Sequence, residues 1–160
     1  MRILVISDTH IPDRYEDLPQ AVKKELKKAD LVLHAGDFTS VELFKEIKKQ
    51  KPLKAVLGNM DTAELMKDLN EKETISIEKY KIGIMHGKGR AEGVLDLVKK
   101  TFDNTYDLVI FGHTHQAMIE KEGKTTYLNP GSPTDKIFST QNSYAIVEIN
   151  GSMKVEIYKI

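Results

Sequence analysis

Short apolar runs, each stopped abruptly by a polar string, set the rhythm of this chain. Arg2–Ser7, Leu31–His34, Leu53–Leu57 and Asp107–Phe111 carry Ile, Leu and Val with little alternation, the pattern of strands buried on both faces. Amphipathic stretches lie between them. Pro19–Lys28 opens on a proline, which suits a first helical turn. Ser40 is a good cap for a helix over Val41–Lys49, with Leu43, Phe44 and Ile47 on one face. A short helix is expected near Ala63–Leu69 and a longer one over Glu92–Phe102. Glu73–Glu78 and Lys81–Met85 read as two strands about a tight turn at Lys79-Tyr80. Beyond Phe111 the texture changes. Ala117–Glu122, Lys124–Leu128, Ser143–Asn150 and Met153–Tyr158 alternate and are joined by turns at Gly123 and Asn150-Gly151, which predicts an antiparallel meander. The simplest assembly is one α/β domain over residues 1–160, with two sheets flanked by helices.

The polar strings that end these runs hold the chemistry. They are Asp8-Thr9-His10, His34-Ala35-Gly36-Asp37, Gly58-Asn59-Met60-Asp61, His86-Gly87 and Gly112-His113-Thr114-His115, and they contain every histidine of the chain. In open α/β sheets, ligands gather beyond the carboxyl ends of the strands, so these strings should meet at one rim. Residues two apart on extended chain project to the same side. Asp8 and His10 can therefore reach one ion, and His113 and His115 repeat the spacing. Gly36, Gly58, Gly87 and Gly112 allow sharp turns beside them.

Imidazole and carboxylate are ordinary nitrogen and oxygen ligands of transition metals. The candidates Asp8, His10, Asp37, Asn59, His86, His113 and His115 exceed the roughly three protein ligands of a single catalytic zinc. They fit two divalent ions sharing one carboxylate, and Asp37 is the natural bridge. Two ions about 3.5–4 Å apart stabilise both the attacking and the leaving oxygen of a phosphoryl displacement. A donor set without sulfur suits Mn, Ni, Co, Fe or Zn.

Bulk properties narrow the field. Cysteine is absent, which removes disulfides, thiolate metal sites and cysteine nucleophiles. Lys plus Arg number 24 and Asp plus Glu number 24, so the formal net charge is zero. That balance argues against a long nucleic acid as partner, which demands a basic face. No run approaches the ~20 apolar residues of a membrane span, and the amino terminus lacks the apolar length of a signal peptide. The expectation is a cytoplasmic protein with no membrane partner; a homo-oligomer is compatible with the composition.

The ordered set Asp8-x-His10, Gly36-Asp37, Gly58-Asn59, His86-Gly87 and Gly112-His113-x-His115 resembles the calcineurin-like metallophosphoesterase superfamily. Leu33-His34-Ala35-Gly36-Asp37 and Asn129-Pro130-Gly131-Ser132 are similar to its small prokaryotic phosphodiesterases. The resemblance implies a four-layer αββα sandwich of two mixed β-sheets flanked by helices. It assigns one ion to Asp8, His10, Asp37 and His115, and the other to Asp37, Asn59, His86 and His113, with manganese or nickel favoured. It further implies a small phosphodiester substrate attacked by a water or hydroxide between the ions. Asp37 and Asn59 are then the catalytic residues, Asn59 helping to hold the phosphate oxygens. In one respect the chain departs from the pattern. Larger members have a histidine after the asparagine, thought to assist the leaving group; here it is Met60, which cannot donate a proton. A substrate with a good leaving group would relieve that need. The alternative is a metal-binding scaffold of the same fold, like the small subunit of retromer, since fold does not fix function.

Residues near these motifs carry blander expectations. His34 lies inside an apolar strand and reads as a hydrogen-bonded support rather than a ligand. Asp61 suits equally a helix cap near Thr62 or a support for the site. Asn129–Ser132 reads as a rigid turn beneath it. Arg90 is in reach of a phosphate, although a solvated loop charge is the simpler reading.

Overall fold

The computed structural model describes residues 1–160. Along the chain lie β1 (Arg2–Ile6), α1 (Gln20–Lys28), β2 (Leu31–His34), α2 (Val41–Gln50), β3 (Leu53–Ala55), β4 (Lys72–Ile77) and β5 (Tyr80–Met85). They are followed by α3 (Ala91–Thr101), β6 (Leu108–Ile110), β7 (Met118–Glu122), β8 (Thr125–Asn129), β9 (Ser143–Asn150) and β10 (Ser152–Lys159). The strands form two mixed five-stranded sheets, ordered β10-β9-β1-β2-β3 and β4-β5-β6-β8-β7. Strands β1, β2 and β3 run parallel, as do β5, β6 and β8.

The lack of alternation in the apolar runs follows from the layering. In β1, Ile3 and Val5 face the second sheet, packing in one core with Ile82, Ile84, Leu108 and Ile110. Leu4 and Ile6 face the other way, into a core with Val22 and Leu26 of α1 and Phe44 and Ile47 of α2. On the far side, Val94 and Val98 of α3 pack with Val109 and Tyr127 of the second sheet. Helices, sheet, sheet and helix thus make the αββα sandwich. Helix α2 begins as its sequence predicts, with Ser40 Oγ accepting the Leu43 amide at 3.2 Å.

Three details differ from the sequence reading. The last four strands are not one meander. The β7–β8 hairpin joins the second sheet, with β8 parallel to β6, while the β9–β10 hairpin joins the first, with β9 antiparallel to β1. Each hairpin is locally satisfied, and alternation within it says nothing of which sheet it joins; buried contacts decide that. The helix expected over Ala63–Leu69 is a single 3-10 turn at Leu65–Lys67, with Leu65 its only buried residue. One apolar anchor does not offset helix nucleation. The β4–β5 turn falls at Glu78-Lys79, where Glu78 takes a left-handed φ of 52°. No helix is long and apolar enough to cross a membrane.

Candidate metal centre

The carboxyl ends of β1, β2, β3, β5 and β6 open onto one rim, and each releases its polar string there. The local geometry is not the extended chain expected. Asp8, His10, Asp37, His113 and His115 have φ of 53°, 44°, 59°, 70° and 58°, all left-handed. Such conformations cost a non-glycine residue about 1 kcal/mol or more and persist only where surrounding bonds enforce them. Asp8 and His10 therefore converge through two tight bends rather than through strand alternation. The glycines also divide by role. Gly36 and Gly87 take positive φ, whereas Gly58 and Gly112 do not and serve close approach. A Cβ on Gly58 would stand 2.1 Å from Asp37 Oδ1, and one on Gly112 would stand 2.7 Å from Asp8 Oδ2.

Two groups of buried ligand-type side chains result, Asp8 with His10 and His115, and Asp8 with Asp37 and His86. The carboxylate common to both is Asp8. Asp37 nonetheless spans them: its Oδ2 is 3.6 Å from His10 Nε2 and 3.3 Å from His86 Nε2. Asp8 Oδ1 lies 3.2 Å from His115 Nε2 and 3.9 Å from His86 Nε2. Asn59 Oδ1 completes the second group, 3.0 Å from His86 Nε2 and 2.8 Å from His113 Nδ1. All seven expected residues are brought together.

The donor chemistry fits cations. His86 Nδ1 donates to the Ala35 carbonyl at 2.7 Å, and His113 Nε2 donates to the Gly89 carbonyl at 2.8 Å. Carbonyls only accept, so the opposite ring nitrogens, His86 Nε2 and His113 Nδ1, turn toward the rim. His113 Nδ1 then faces an acceptor, Asn59 Oδ1, across a gap that a cation satisfies. Without metal, a proton takes the cation's place on His86. Burial opposes charge on His86, yet Asp8 and Asp37 outweigh it and raise its pKa to about 9. Burial would likewise raise Asp8, but His86, His115 and the Ser7 hydroxyl hold its carboxyl at about 2. Metal and proton compete for the same lone pairs.

Behind the rim stand the groups that aim it. Asp61 is buried, and its carboxylate accepts the amides of Gly58 at 2.7 Å, Thr39 at 3.0 Å and Asp37 at 3.1 Å. It clasps two ligand loops together, and the alternative of a helix cap is not realised, because the 3-10 turn beyond it begins only at Leu65. His34 is fully buried, its Nδ1 accepting from the Gly36 amide at 3.2 Å and its Nε2 lying 3.1 Å from Thr9 Oγ1. The Asn129–Ser132 turn braces the strings as expected. Asn129 Nδ2 donates to the Gly112 carbonyl at 3.0 Å and Ser132 Oγ to the Asp8 carbonyl at 2.7 Å.

Arg90 does not reach the site; its side chain is 91% exposed and pairs loosely with Glu92. Three residues escaped the sequence reading. Asp135, fully buried, accepts the His115 Nδ1–H, and Arg14 Nη1 donates to it at 3.0 Å. Phe138 sets its ring edge-on to His115, with centroids 5.8 Å apart. The acid three places after Ser132 was the only available signal for Asp135. The cleft above the ligands, about 360 Å³, is lined among others by His10, Arg14, Asp37, Asn59, Met60 and Phe138.

Comparison with known proteins accords with this geometry. The model of the calcineurin-like phosphoesterase superfamily domain matches residues 1–152. A protein of Methanothermobacter thermautotrophicus named a probable metallophosphoesterase is 36% identical over 152 residues, covering 94% of this chain and 87% of that one. A phosphodiesterase of Methanocaldococcus jannaschii is 31% identical over 144 residues, covering 82% and 83%. Among solved structures, wild-type Vps29 of Entamoeba histolytica complexed with Zn²⁺ superposes with a TM-score of 0.75 at 29% identity, over 99% of both chains. A match of that span, on a chain whose strand ends gather buried aspartates and histidines, makes this protein a member of the calcineurin-like phosphoesterase superfamily.

Proposed function

We propose that the protein is a phosphodiesterase that works with two divalent cations and hydrolyses small phosphodiesters. The observation that carries this reading is the pair of buried carboxylate–imidazole groups at one rim, with Asp37 Oδ2 between an imidazole of each. Asp8, His10, Asp37 and His115 would hold one ion; Asp37, Asn59, His86 and His113 would hold the other. Bound cations would lower the pKa of a water nucleophile and polarise the phosphoryl group. The chain itself fixes the geometry. The carbonyls of Ala35 and Gly89 and the Asp135 carboxylate lock His86, His113 and His115 in one tautomer each. Asn59 keeps its oxygen on the ligand side, which leaves its NH₂ to donate to a phosphoryl oxygen and offset charge in the transition state.

Preference for diesters rests on the 31% identical relative named a phosphodiesterase. Met60, half-exposed in the cleft and without a transferable proton, favours substrates whose leaving group departs unaided, whether mono- or diester. A metal-binding scaffold of this fold would keep the same ligands, so turnover is what separates it from the enzyme. The decisive experiment is hydrolysis of bis(p-nitrophenyl) phosphate with added Mn²⁺ or Ni²⁺, joined to metal analysis. The natural chain should turn over and hold two ions. Asp37→Ala should lose both ions and about 10³-fold or more in rate, a change of about 4 kcal/mol. Two ions retained in that variant would end the bridging role of Asp37; no hydrolysis by the natural chain would end the enzyme reading.

A further inference from the structure

Phe138 is a large apolar side chain on the lip of a polar cleft, and it stays 59% exposed. It does not stand there loosely. Its amide donates to Asp135 Oδ2 at 3.0 Å, and the Arg14 guanidinium carbon lies 5.1 Å from its ring centroid. Arg14 is tied down in turn, its amide donating to the His10 carbonyl at 2.8 Å and Nη1 to Asp135 Oδ1 at 3.0 Å. Next to this pair, Lys136 lies 4.9 Å from the Tyr15 ring and couples the same two loops again. A platform of guanidinium and phenyl is thus bolted to His10 and, through Asp135, to His115. A pure brace of this kind would be expected to bury its ring; this one leaves the ring open at the cleft.

We propose, resting on the phosphodiesterase reading, that Arg14 and Phe138 form a subsite for a planar aromatic arm of the substrate, a nucleobase or a simple aryl group. The chemistry favours a π-system over an alkyl chain. An aromatic ring stacks on phenyl and guanidinium planes alike, whereas an alkyl arm would desolvate the guanidinium without return. Of the five guanidinium N–H groups, Asp135 takes one, so others remain for an oxygen on the same arm. Stacking of a base on an aromatic side chain tolerates any base, so the subsite selects the class of arm rather than its identity.

Calorimetric binding to the Mn²⁺-loaded protein tests this with adenosine 5′-monophosphate, phenyl phosphate and ribose 5-phosphate. The aromatic ligands should bind about tenfold tighter than ribose 5-phosphate. A lead for adenosine 5′-monophosphate over phenyl phosphate identifies a nucleobase site, and equal affinities identify a general aryl site. Phe138→Ala should abolish the aromatic preference and Phe138→Tyr should retain it. Equal binding of all three ligands to the natural chain, or a preference that survives Phe138→Ala, overturns the subsite while leaving the phosphoester reading intact. Failure of all three to bind, together with no ester hydrolysis, overturns that reading and the subsite with it.

Discussion

Asp135 accepts the Nδ1–H of His115, and Arg14 with the amides of Ile137 and Phe138 closes around its remaining lone pairs. Burial would raise this carboxyl, but those amides and His115 hold it at about 2, so it is a full anion at every working pH. The bond leaves His115 Nε2 turned toward Asp8 Oδ1, 3.2 Å away. Asp135→Asn keeps the shape but removes the charge that orients and enriches the imidazole. The variant should fold, keep the His86-side ion, and bind the His115-side ion about 10–100-fold more weakly. Titration with Zn²⁺ followed by calorimetry would separate the two sites.

Asp61 is the fastener beneath Asp37. Removing its carboxylate leaves the amides of Gly58, Asp37 and Thr39 without their acceptor in a buried setting. Asp61→Ala should therefore cost about 3 kcal/mol of stability. At about 2–4 °C per kcal/mol for a chain of this size, the melting temperature should fall by roughly 6–12 °C. Metal affinity should fall too, since the Asp37 loop loses its anchor. Thermal melts with and without Mn²⁺ measure both effects.

His34 predicts a pH dependence. Burial drives its pKa down from 6.5 to about 3, despite the pull of Asp8. The unfolded chain takes up a proton near pH 6.5 and the folded chain does not until about pH 3. The stability contributed by His34 is therefore full above pH 6.5 and declines as pH falls from there toward 3, by about 1.4 kcal/mol per pH unit. His34→Asn retains an acceptor for the Gly36 amide but cannot titrate. Urea denaturation of the metal-free protein between pH 7.5 and 4 should show a shallower decline in the variant. The difference between the two curves isolates His34 from the other histidines. Two ions per chain should remain in the variant.

On the phosphodiesterase reading, Met60→His places a proton donor where the Met60 side chain offers none. Met60 is 54% exposed and lines the cleft, so the substitution has room. Alkyl diesters, whose leaving groups need a proton, should gain about tenfold or more in kcat, while p-nitrophenyl esters should change little. The pH–rate profile on alkyl esters should acquire a descending limb near the histidine pKa, about 6.5.

The strands, the helices and the seven rim residues could be read from the chain because each rests on local order. An apolar run buried on both faces reads as a strand, and a polar string at its end reads as a loop at the rim. That logic brings Asp8, His10, Asp37, Asn59, His86, His113 and His115 to the rim, together with His34 and Asp61 of the same strings, which the structure sets behind it. What only the tertiary structure decided depends on distant partners. The assignment of β7–β8 and β9–β10 to different sheets is set by buried contacts with β6 and β1. The aim of His115 is set by Asp135, 20 positions away, and the placing of the Asp37 loop by Asp61, 24 positions away. The left-handed bends at Asp8 and His113 are forced by bonds across the rim, where the His113 amide donates to Asp8 Oδ2 at 3.0 Å. Periodicity reports which face a residue turns to the core, but a hydrogen bond between remote loops leaves no trace in it.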